Sequence, residues 1–129
     1  MVIDTSAILA ILFDEPEARA FRESVEADPV RLVSAATLVE AAIVVETRLG
    51  EAGGRELDLL LAVAECEIVA LDAEQAAAAR QAHRRFGKGR HQAGLNLGDC
   101  YSYALSSISG EPLLCKGDDF RRTDLRLVT

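Results

Sequence analysis

The sequence predicts a single α/β domain in which a mostly parallel sheet is covered by helices on both faces. Short apolar segments alternate along the chain with longer segments of helical periodicity, an order that favours a parallel sheet with crossover helices. The 129 residues suffice for one core, and they are 50% hydrophobic but only 5% aromatic. Because no internal repeat or linker divides the chain, residues 1–129 are expected to form one domain.

The N-terminal segment is predicted to form one strand and two helices. Val2–Asp4 is a short strand that runs directly into a helix over Ser6–Phe13. The following segment, FDEPEARAFRESVEA, is predicted to form the second helix. In that helix Asp14 is the expected N-cap, Pro16 lies in the first turn and Glu17 follows three residues after the cap.

The middle of the chain repeats the alternation of strand and helix. Arg31–Ser34 is the second predicted strand, and a helix over Thr37–Leu49 is expected to stop near Gly50. The segment GGRELDLLLAVAEC is predicted to form a further helix. Ile68–Leu71 is then short and apolar, which is typical of the third strand.

The C-terminal part contributes two helices and two strands. Asp72 and Gln75 mark the start of an alanine-rich helix that runs to Phe86 and ends at the glycine after it. A glycine-containing loop over residues 87–94 precedes a helix headed by Asp99. The last strands are predicted at Pro112–Cys115 and Arg126–Val128.

Charge is unevenly distributed along a chain whose net charge is −7. The segment Arg80–His91 holds five basic residues, two histidines and no acid, whereas the rest of the chain carries nine basic against 21 acidic residues. A basic segment on an acidic body is compatible with contact to nucleic acid. It is also typical of a solvated helix end that suits the helix dipole, so both interpretations stay open.

The sequence gives no sign of export or of a membrane anchor. No apolar run approaches the ~18 residues of a membrane span, and no charged leader precedes the first predicted strand. We therefore expect an unprocessed cytoplasmic protein. Cys66, Cys100 and Cys115 lie in apolar neighbourhoods without the spacing of a metal site, so they are expected to be buried free thiols.

Acidic residues lie where the predicted strands end. Asp4 closes the first strand, and Glu40 lies early in the helix after the second. Asp118 and Asp119 follow the fourth strand, and Asp99 starts the helix that leads into it. Ligands of open α/β sheets bind beyond the carboxyl ends of the strands. If strands one, two and four are neighbours, these carboxylates converge on one edge of the sheet.

Each acid also has a purely structural interpretation. Asp4 and Asp99 are suitable helix caps, and for them the two interpretations are equally balanced. Glu40 fits a capping box with Thr37, and the pair in the segment GDD is ordinary turn chemistry. Taken one at a time, those residues favour the structural role.

Considered together, the acids favour a metal site. Several carboxylates at one strand edge repel each other unless a cation neutralises them. No Lys or Arg stands beside Asp4, Glu40 or Asp99 in the sequence, although Lys116 could reach the site. Oxygen ligands without His or Cys suit Mg²⁺ or Mn²⁺. One or two such ions can activate a water for in-line attack on a phosphodiester, so the pattern predicts phosphodiester hydrolysis.

Four segments that span nearly the whole chain, in order, carry a family resemblance. They are MVIDTSAILAIL, SAATLVEAAIVVE, GKGRHQAGLNLGDCYSYAL and PLLCKGDDFRRTDL. Their combination resembles the PIN-domain ribonucleases and, more narrowly, the VapC-type toxins of bacterial toxin–antitoxin pairs. The resemblance implies a three-layer α/β/α fold with a five-stranded sheet of order 3-2-1-4-5, and a Mg²⁺-dependent endoribonuclease activity.

The resemblance also implies site residues. Asp4, Glu40 and Asp99 fall on the acidic positions of the family, with Asp4 and Asp99 as metal ligands. The fourth acid is expected to be Asp119, directly before Phe120, with Asp118 as the second choice. Metal or water support is expected from Thr5 or Ser6, for which a helix-capping hydroxyl is the alternative.

An RNA substrate requires cations close to the acids, because phosphates must be held there. The expected RNA-binding residues lie shortly before Asp99 or directly after the fourth strand; they are Arg84, Arg85, Lys88, Arg90, His91 and Lys116. Single-stranded or looped RNA is the expected form of the substrate, since a duplex would not fit a narrow cleft.

The resemblance further implies a small VapB-like antitoxin as partner and a homodimer. One alternative is a catalytically silent PIN-fold module that regulates a partner, which the absence of one acid would favour; all of them are present. Another alternative is phosphotransfer on an aspartate. The segment DTS after the first strand lacks the second Asp of a DxD phosphatase loop, which argues against it.

Overall fold

The computed structural model describes residues 1–128 and has a parallel four-stranded sheet at its centre. The strands are β1 (Val2–Ile3), β2 (Leu32–Ser34), β3 (Glu67–Val69) and β4 (Leu113–Leu114). Their order across the sheet is β3-β2-β1-β4, and every adjacent pair is parallel. Strands one, two and four are therefore neighbours, as the convergence of the acids requires.

The helices are α1 (Thr5–Leu12), α2 (Ala18–Ala27), α3 (Ala35–Val63), α4 (Ala73–Phe86) and α5 (Leu97–Ser109), followed by a 3₁₀ turn over Asp119–Arg122. Among residues 1–128, no helix is both long and apolar enough to cross a bilayer. The predicted three-layer α/β/α architecture is confirmed by how these helices cover the sheet.

Alternate residues of the central strands point into two separate cores. Val2 and Leu113 pack with residues of α4 and α5, whereas Ile3 and Leu114 pack with residues of α1, α2 and α3. This is the period of two that a strand imposes on its side chains. Helices therefore cover both faces of the sheet, and β1 and β4 are buried between them.

The prediction of a fifth strand at Arg126–Val128 was wrong as to extent, because this segment makes a single bridge. Leu127 pairs with Leu113 in parallel, through bonds from Leu113 N–H to the Arg126 carbonyl at 3.0 Å and from Val128 N–H to the Leu113 carbonyl at 2.9 Å. The segment lies beside β4, where the order 3-2-1-4-5 places it. Since β4 is only two residues long, it offers little strand for a longer ladder.

Two predicted helix starts in the first half of the chain were wrong. Asp14 adopts a positive φ of 50° in a turn, so α2 starts after Glu17 and not at Asp14. The helix after β2 is capped by Ser34, whose hydroxyl accepts a bond from Ala36 N–H at 3.3 Å. A capping box between Thr37 and Glu40 is therefore not formed.

The predicted cap and end of α4 are confirmed. Asp72 caps α4 through a bond of 2.9 Å from Gln75 N–H, and Gly87 ends that helix. Gly50 has a non-helical backbone with φ of 67° and divides α3 into two helical segments, so the predicted helix end near Gly50 and the further helix after it are confirmed. The three cysteines are free, but only Cys100 is fully buried.

Candidate active site

Asp4 lies at the carboxyl end of β1, where it also caps α1. Its carboxylate accepts bonds from Ser6 N–H at 3.0 Å, from the Ser6 hydroxyl at 2.6 Å and from the Ser102 hydroxyl at 2.5 Å. The Asp4 residue is only 3% exposed. The Ser6 hydroxyl in turn accepts a bond from Lys116 N–H at 2.9 Å, so the end of β4 is tied to the same carboxylate.

Ser102 is a contributor to this site that the sequence analysis missed. It is fully buried in α5, and its hydroxyl lies 3.4 Å from that of the equally buried Thr37. The signal in the sequence was a polar residue inside an otherwise apolar run, three residues after Asp99 and so on the same side of the helix. Ser102 therefore fixes the orientation of Asp4 from behind.

Glu40 is held in place by α1 and α5. The Thr5 hydroxyl donates a hydrogen bond to Glu40 Oε1. The Glu40 carboxylate also lies directly against Gly98, in the first turn of α5. Because Ser34 caps α3, Glu40 has no capping role, and the structural interpretation of this residue is wrong. Of the two hydroxyls expected to support the site, Thr5 contacts Glu40 and Ser6 contacts Asp4.

Asp99 was expected at the head of its helix, but α5 begins two residues earlier, after Asn96. The two residues form a reciprocal capping box: Asp99 N–H donates to Asn96 Oδ1 at 2.9 Å, and Asn96 N–H donates to Asp99 Oδ2 at 3.0 Å. The prediction that Asp99 caps the helix is thus right in kind and wrong in position. Only Oδ2 is used for the cap.

The environment of Asp99 is unfavourable for its negative charge. The pKa of Asp99 is raised from 3.8 to about 6, mainly by burial and further by the charges of Asp4, Asp119 and Glu40, against the opposing effect of the Asn96 N–H. Asp4, Asp119 and Glu40 are therefore each close enough to disfavour the negative charge of Asp99. Repulsion of this kind is relieved by a bound cation.

This pKa shift predicts how the stability of the metal-free protein depends on pH. Asp99 binds its proton more tightly in the folded than in the unfolded state, so folding is favoured most below pH ~4 and loses that contribution as pH rises to ~6. We expect the free energy of unfolding in EDTA to fall more steeply over this interval for the wild type than for Asp99→Asn. Parallel urea titrations from pH 4 to 7 measure the difference, and equal slopes would contradict the shift.

Asp118 and Asp119 behave differently. Asp119 contributes to the raised pKa of Asp99, whereas Asp118 is exposed and pairs with Arg121 at 3.5 Å. Phe120 is 3% exposed and anchors the turn in the core, as expected. The arrangement favours Asp119 over Asp118 as the fourth acid.

The acids open onto one shallow pocket of about 260 Å³. Its lining combines three of the acids with the residues that orient them: Asp4, Thr5, Ser6, Leu9, Glu40, Val44, Asn96 and Asp99. No Lys or Arg of residues 1–128 forms an ion pair with these three acids.

The donor chemistry of the pocket fits a hard divalent cation, since it consists of carboxylate and hydroxyl oxygens. In the described part of the chain, no three His, Cys, Asp or Glu side chains are close enough to form a closed cage for a metal. Mg²⁺ does not need one, because it is usually held by one or two carboxylates and keeps several waters. Asp4 and Asp99 line the same pocket and are two carboxylates available for such a site.

Two of the predicted RNA-binding cations are engaged within the protein. Arg85 pairs with Asp124 at 3.4 Å, and Lys116 pairs with Glu15 at 3.1 Å and Glu17 at 3.4 Å. Both side chains are partly exposed. A phosphate at either position would therefore compete with a carboxylate that is already bound.

The other four lie on α4 and the loop that follows it, which runs to the start of α5. His91 Nδ1 accepts a bond from Ala93 N–H at 3.0 Å and so helps to shape the loop. Arg84, Lys88 and Arg90 form no ion pair with any residue of 1–128. These three are the cations left available to a phosphate.

Comparison with known proteins identifies relatives over the full length of the chain. The chain is 61% identical over 128 residues to a Ribonuclease VapC of Mycolicibacterium smegmatis, covering 99% of both sequences. It is 59% identical to Ribonuclease VapC30 of Mycobacterium tuberculosis, covering 99% of this chain and 98% of the relative.

Solved structures share the fold at low sequence identity. The crystal structure of Mycobacterium tuberculosis VapC20, described as a sarcin–ricin loop cleaving toxin, matches with a TM-score of 0.80 at 16% identity, covering 98% of this chain and 97% of the other. VapBC2 from Rickettsia felis, bound to a DNA fragment from its promoter, matches with a TM-score of 0.79 at 15% identity, covering 98% and 96%. The sequence model of the PIN domain matches residues 1–125. The chain therefore belongs to the PIN-domain family and, within it, to the VapC ribonucleases.

Proposed function

We propose that this protein is a divalent-metal-dependent endoribonuclease and the growth-inhibiting toxin of a toxin–antitoxin pair. The observation that carries the proposal is the pocket at the carboxyl ends of β1 and β2, where Asp4, Glu40 and Asp99 meet. These residues come from three distant parts of the chain, and the negative charges of Asp4 and Glu40 raise the pKa of Asp99. The high identity to VapC ribonucleases supports RNA as the substrate.

Asp4 and Asp99 are the proposed metal ligands, and Mg²⁺ or Mn²⁺ is the proposed ion. When bound, the ion would lower the pKa of a water, orient it for in-line attack and stabilise the leaving oxygen of the phosphodiester. Glu40 and Asp119 complete the proposed catalytic set.

The protein's own contribution is to hold these carboxylates in fixed positions. Ser6 and Ser102 orient both oxygens of Asp4, and Thr5 orients Oε1 of Glu40. The capping box fixes Oδ2 of Asp99. Pre-positioned acids need little rearrangement during the reaction, which is how an enzyme site gains most from its charges. The RNA backbone is proposed to lie near Arg84, Lys88 and Arg90, where phosphates would find cations.

A small VapB-like antitoxin is the proposed partner, and a homodimer is the proposed assembly. The structural relatives include VapBC2 of Rickettsia felis and a toxin–antitoxin complex from Klebsiella pneumoniae, which supports an antitoxin partner. The cytoplasm, where an RNA substrate would be met, is the proposed location. Retention of all the expected acids argues against a catalytically silent regulator.

Removal of divalent metal tests the proposed chemistry directly. We expect the purified protein to cut a structured RNA in Mg²⁺ or Mn²⁺, to stop in EDTA and to recover when the metal is restored. Product ends and rates on denaturing gels are the measurement. Cleavage that continues in EDTA, or that separates from the protein during purification, would exclude a metal-dependent ribonuclease activity of this protein.

The choice of the fourth acid is tested with two adjacent substitutions. We expect Asp119→Asn to lower kcat by about 10- to 100-fold, because its charge acts on the pocket. Asp118→Asn, which removes only an exposed ion pair with Arg121, is expected to change kcat by less than about twofold. Steady-state cleavage of one RNA oligonucleotide compares them, and the reverse order would assign the role to Asp118.

A further inference from the structure

We propose that Gly98 is a positioning residue for Glu40: its missing side chain leaves the space in which the Glu40 carboxylate lies. A Cβ atom built on Gly98 would lie 2.5 Å from both Cδ and Oε1 of Glu40, and closer still to Oε2. Side chains do not approach each other this closely, so Glu40 would have to move. The inference rests on the proposed function of Glu40. It adds Gly98 as a residue that positions Glu40 because it has no side chain.

The backbone gives no other reason for glycine at this position. Gly98 lies in the first turn of α5, and it is not among the glycines with positive φ. A glycine favours a helix less than an alanine does, because its backbone loses more conformational freedom. A helix with ordinary geometry thus carries an unfavourable residue at the point where the Glu40 carboxylate packs against it.

Two contacts, one from α1 and one from α5, therefore fix Glu40. The Thr5 hydroxyl holds Oε1 by a hydrogen bond from α1, and Gly98 offers the carboxylate a flat surface on α5. The residue after Gly98 is Asp99, so the same turn of helix sets the position of two of the acids. A methyl group at position 98 would push Glu40 away from Thr5 and Asp99 without altering any charge.

The chain contains a matched control in Gly54. A Cβ atom there would lie 2.6 Å from Oε1 of Glu46, so Gly54→Ala also displaces a glutamate of α3. Gly54 is buried like Gly98, but Glu46 is exposed and does not line the pocket. The two substitutions share the added methyl group and the displaced carboxylate. They differ in that Glu40 lines the pocket and accepts a bond from Thr5, whereas Glu46 is exposed and does not line the pocket.

The test compares Gly98→Ala with Gly54→Ala in three measurements. Because the displaced group is the end of a flexible side chain, we expect both variants to fold with a Tm at or above that of the wild type. Mn²⁺ binding, followed by electron paramagnetic resonance, is expected to weaken about tenfold in Gly98→Ala only. The kcat for RNA cleavage is expected to fall by about 10- to 100-fold in the same variant, with KM unchanged.

A second substitution tests that the effect passes through Glu40. In a Glu40→Asp background the shortened side chain no longer reaches Gly98, so adding Gly98→Ala is expected to cost no further Mn²⁺ affinity. If Gly98→Ala weakens Mn²⁺ binding by the same factor in the Glu40→Asp background as in the wild type, the proposal is overturned. Equal behaviour of Gly98→Ala and Gly54→Ala, or failure of Gly98→Ala to fold, would also overturn it.

A crystal structure of Gly98→Ala separates this proposal from the proposed function. If the Glu40 carboxylate has left the Thr5 hydroxyl, Gly98 positions it, whatever reaction the protein performs. If the hydrogen bond to Thr5 is intact, the proposal is wrong even when RNA cleavage is confirmed. A wild type that neither binds Mn²⁺ nor cuts RNA would remove the proposed function and leave this structural result standing.

Discussion

Replacing Asp99 with Asn is expected to abolish RNA cleavage and, in the absence of metal, to stabilise the fold. The amide oxygen of Asn can still accept the Asn96 N–H, so the cap of α5 survives. The substitution removes a buried carboxylate whose ionisation is opposed by burial and by three neighbouring acids. At pH 7 the wild type bears that unfavourable charge and the variant does not.

The loss of activity is expected to be about a thousandfold, because a metal ligand contributes several kcal/mol of transition-state stabilisation. Cleavage rates and thermal unfolding are measured on the same samples. Mn²⁺ should raise the Tm of the wild type, since only the folded state offers the site, and should leave Asp99→Asn unchanged. Residual activity within tenfold of the wild type, or an equal Mn²⁺ shift in both, would remove Asp99 from the site.

Much of the fold could be predicted from local sequence because its signals are local. The apolar pairs of β1 and β4, the Asp72 cap and the break at Gly50 each depend on residues a few positions apart. Errors arose where two local signals competed. The N-cap of α3 is Ser34 and not a residue near Thr37, and the N-cap of α5 is Asn96 and not Asp99.

The site itself depends on contacts that no local pattern contains. Thr5 and Glu40 are 35 residues apart, and Ser102 and Asp4 are 98 residues apart. The acids could be identified because strand ends of a parallel sheet share an edge. Of the residues that orient them, Thr5 and Ser6 could be expected because they follow Asp4 directly. Ser102, Thr37 and Gly98 could not, since their roles depend on how α5 is placed against β1 and α3.

For the basic residues, the sequence overestimated how many are available to bind RNA. Their clustering in the sequence suggested one RNA-binding surface, but pairing with Asp124, Glu15 and Glu17 occupies Arg85 and Lys116. Charge counted along the chain overestimates the charge that a ligand meets, because neighbours in space neutralise part of it.

Asp4→Ala is expected to lower both stability and activity, because the Asp4 carboxylate caps α1 and is also a proposed metal ligand. The cap of α1 is lost, at a cost of about 1 kcal/mol. The fully buried Ser102 hydroxyl loses its acceptor at 2.5 Å and keeps only the Thr37 hydroxyl at 3.4 Å, which costs about 1–3 kcal/mol more. Relief of repulsion with Asp99 offsets part of this, so the net loss of stability is expected to be about 2 kcal/mol, with a loss of cleavage of about a thousandfold.

Asp72→Ala is the matched control for Asp4→Ala, since Asp72 caps α4 through a bond of 2.9 Å and lies outside the pocket. It is expected to lower stability by about 1 kcal/mol and to leave kcat unchanged. Adding Ser102→Ala to Asp4→Ala should recover about half of the lost stability, because the buried hydroxyl that has lost its best acceptor is gone. Activity should stay absent in the double variant. Recovery of cleavage together with stability would show that Asp4 only supports the fold, and the proposed metal site would then lose its first ligand.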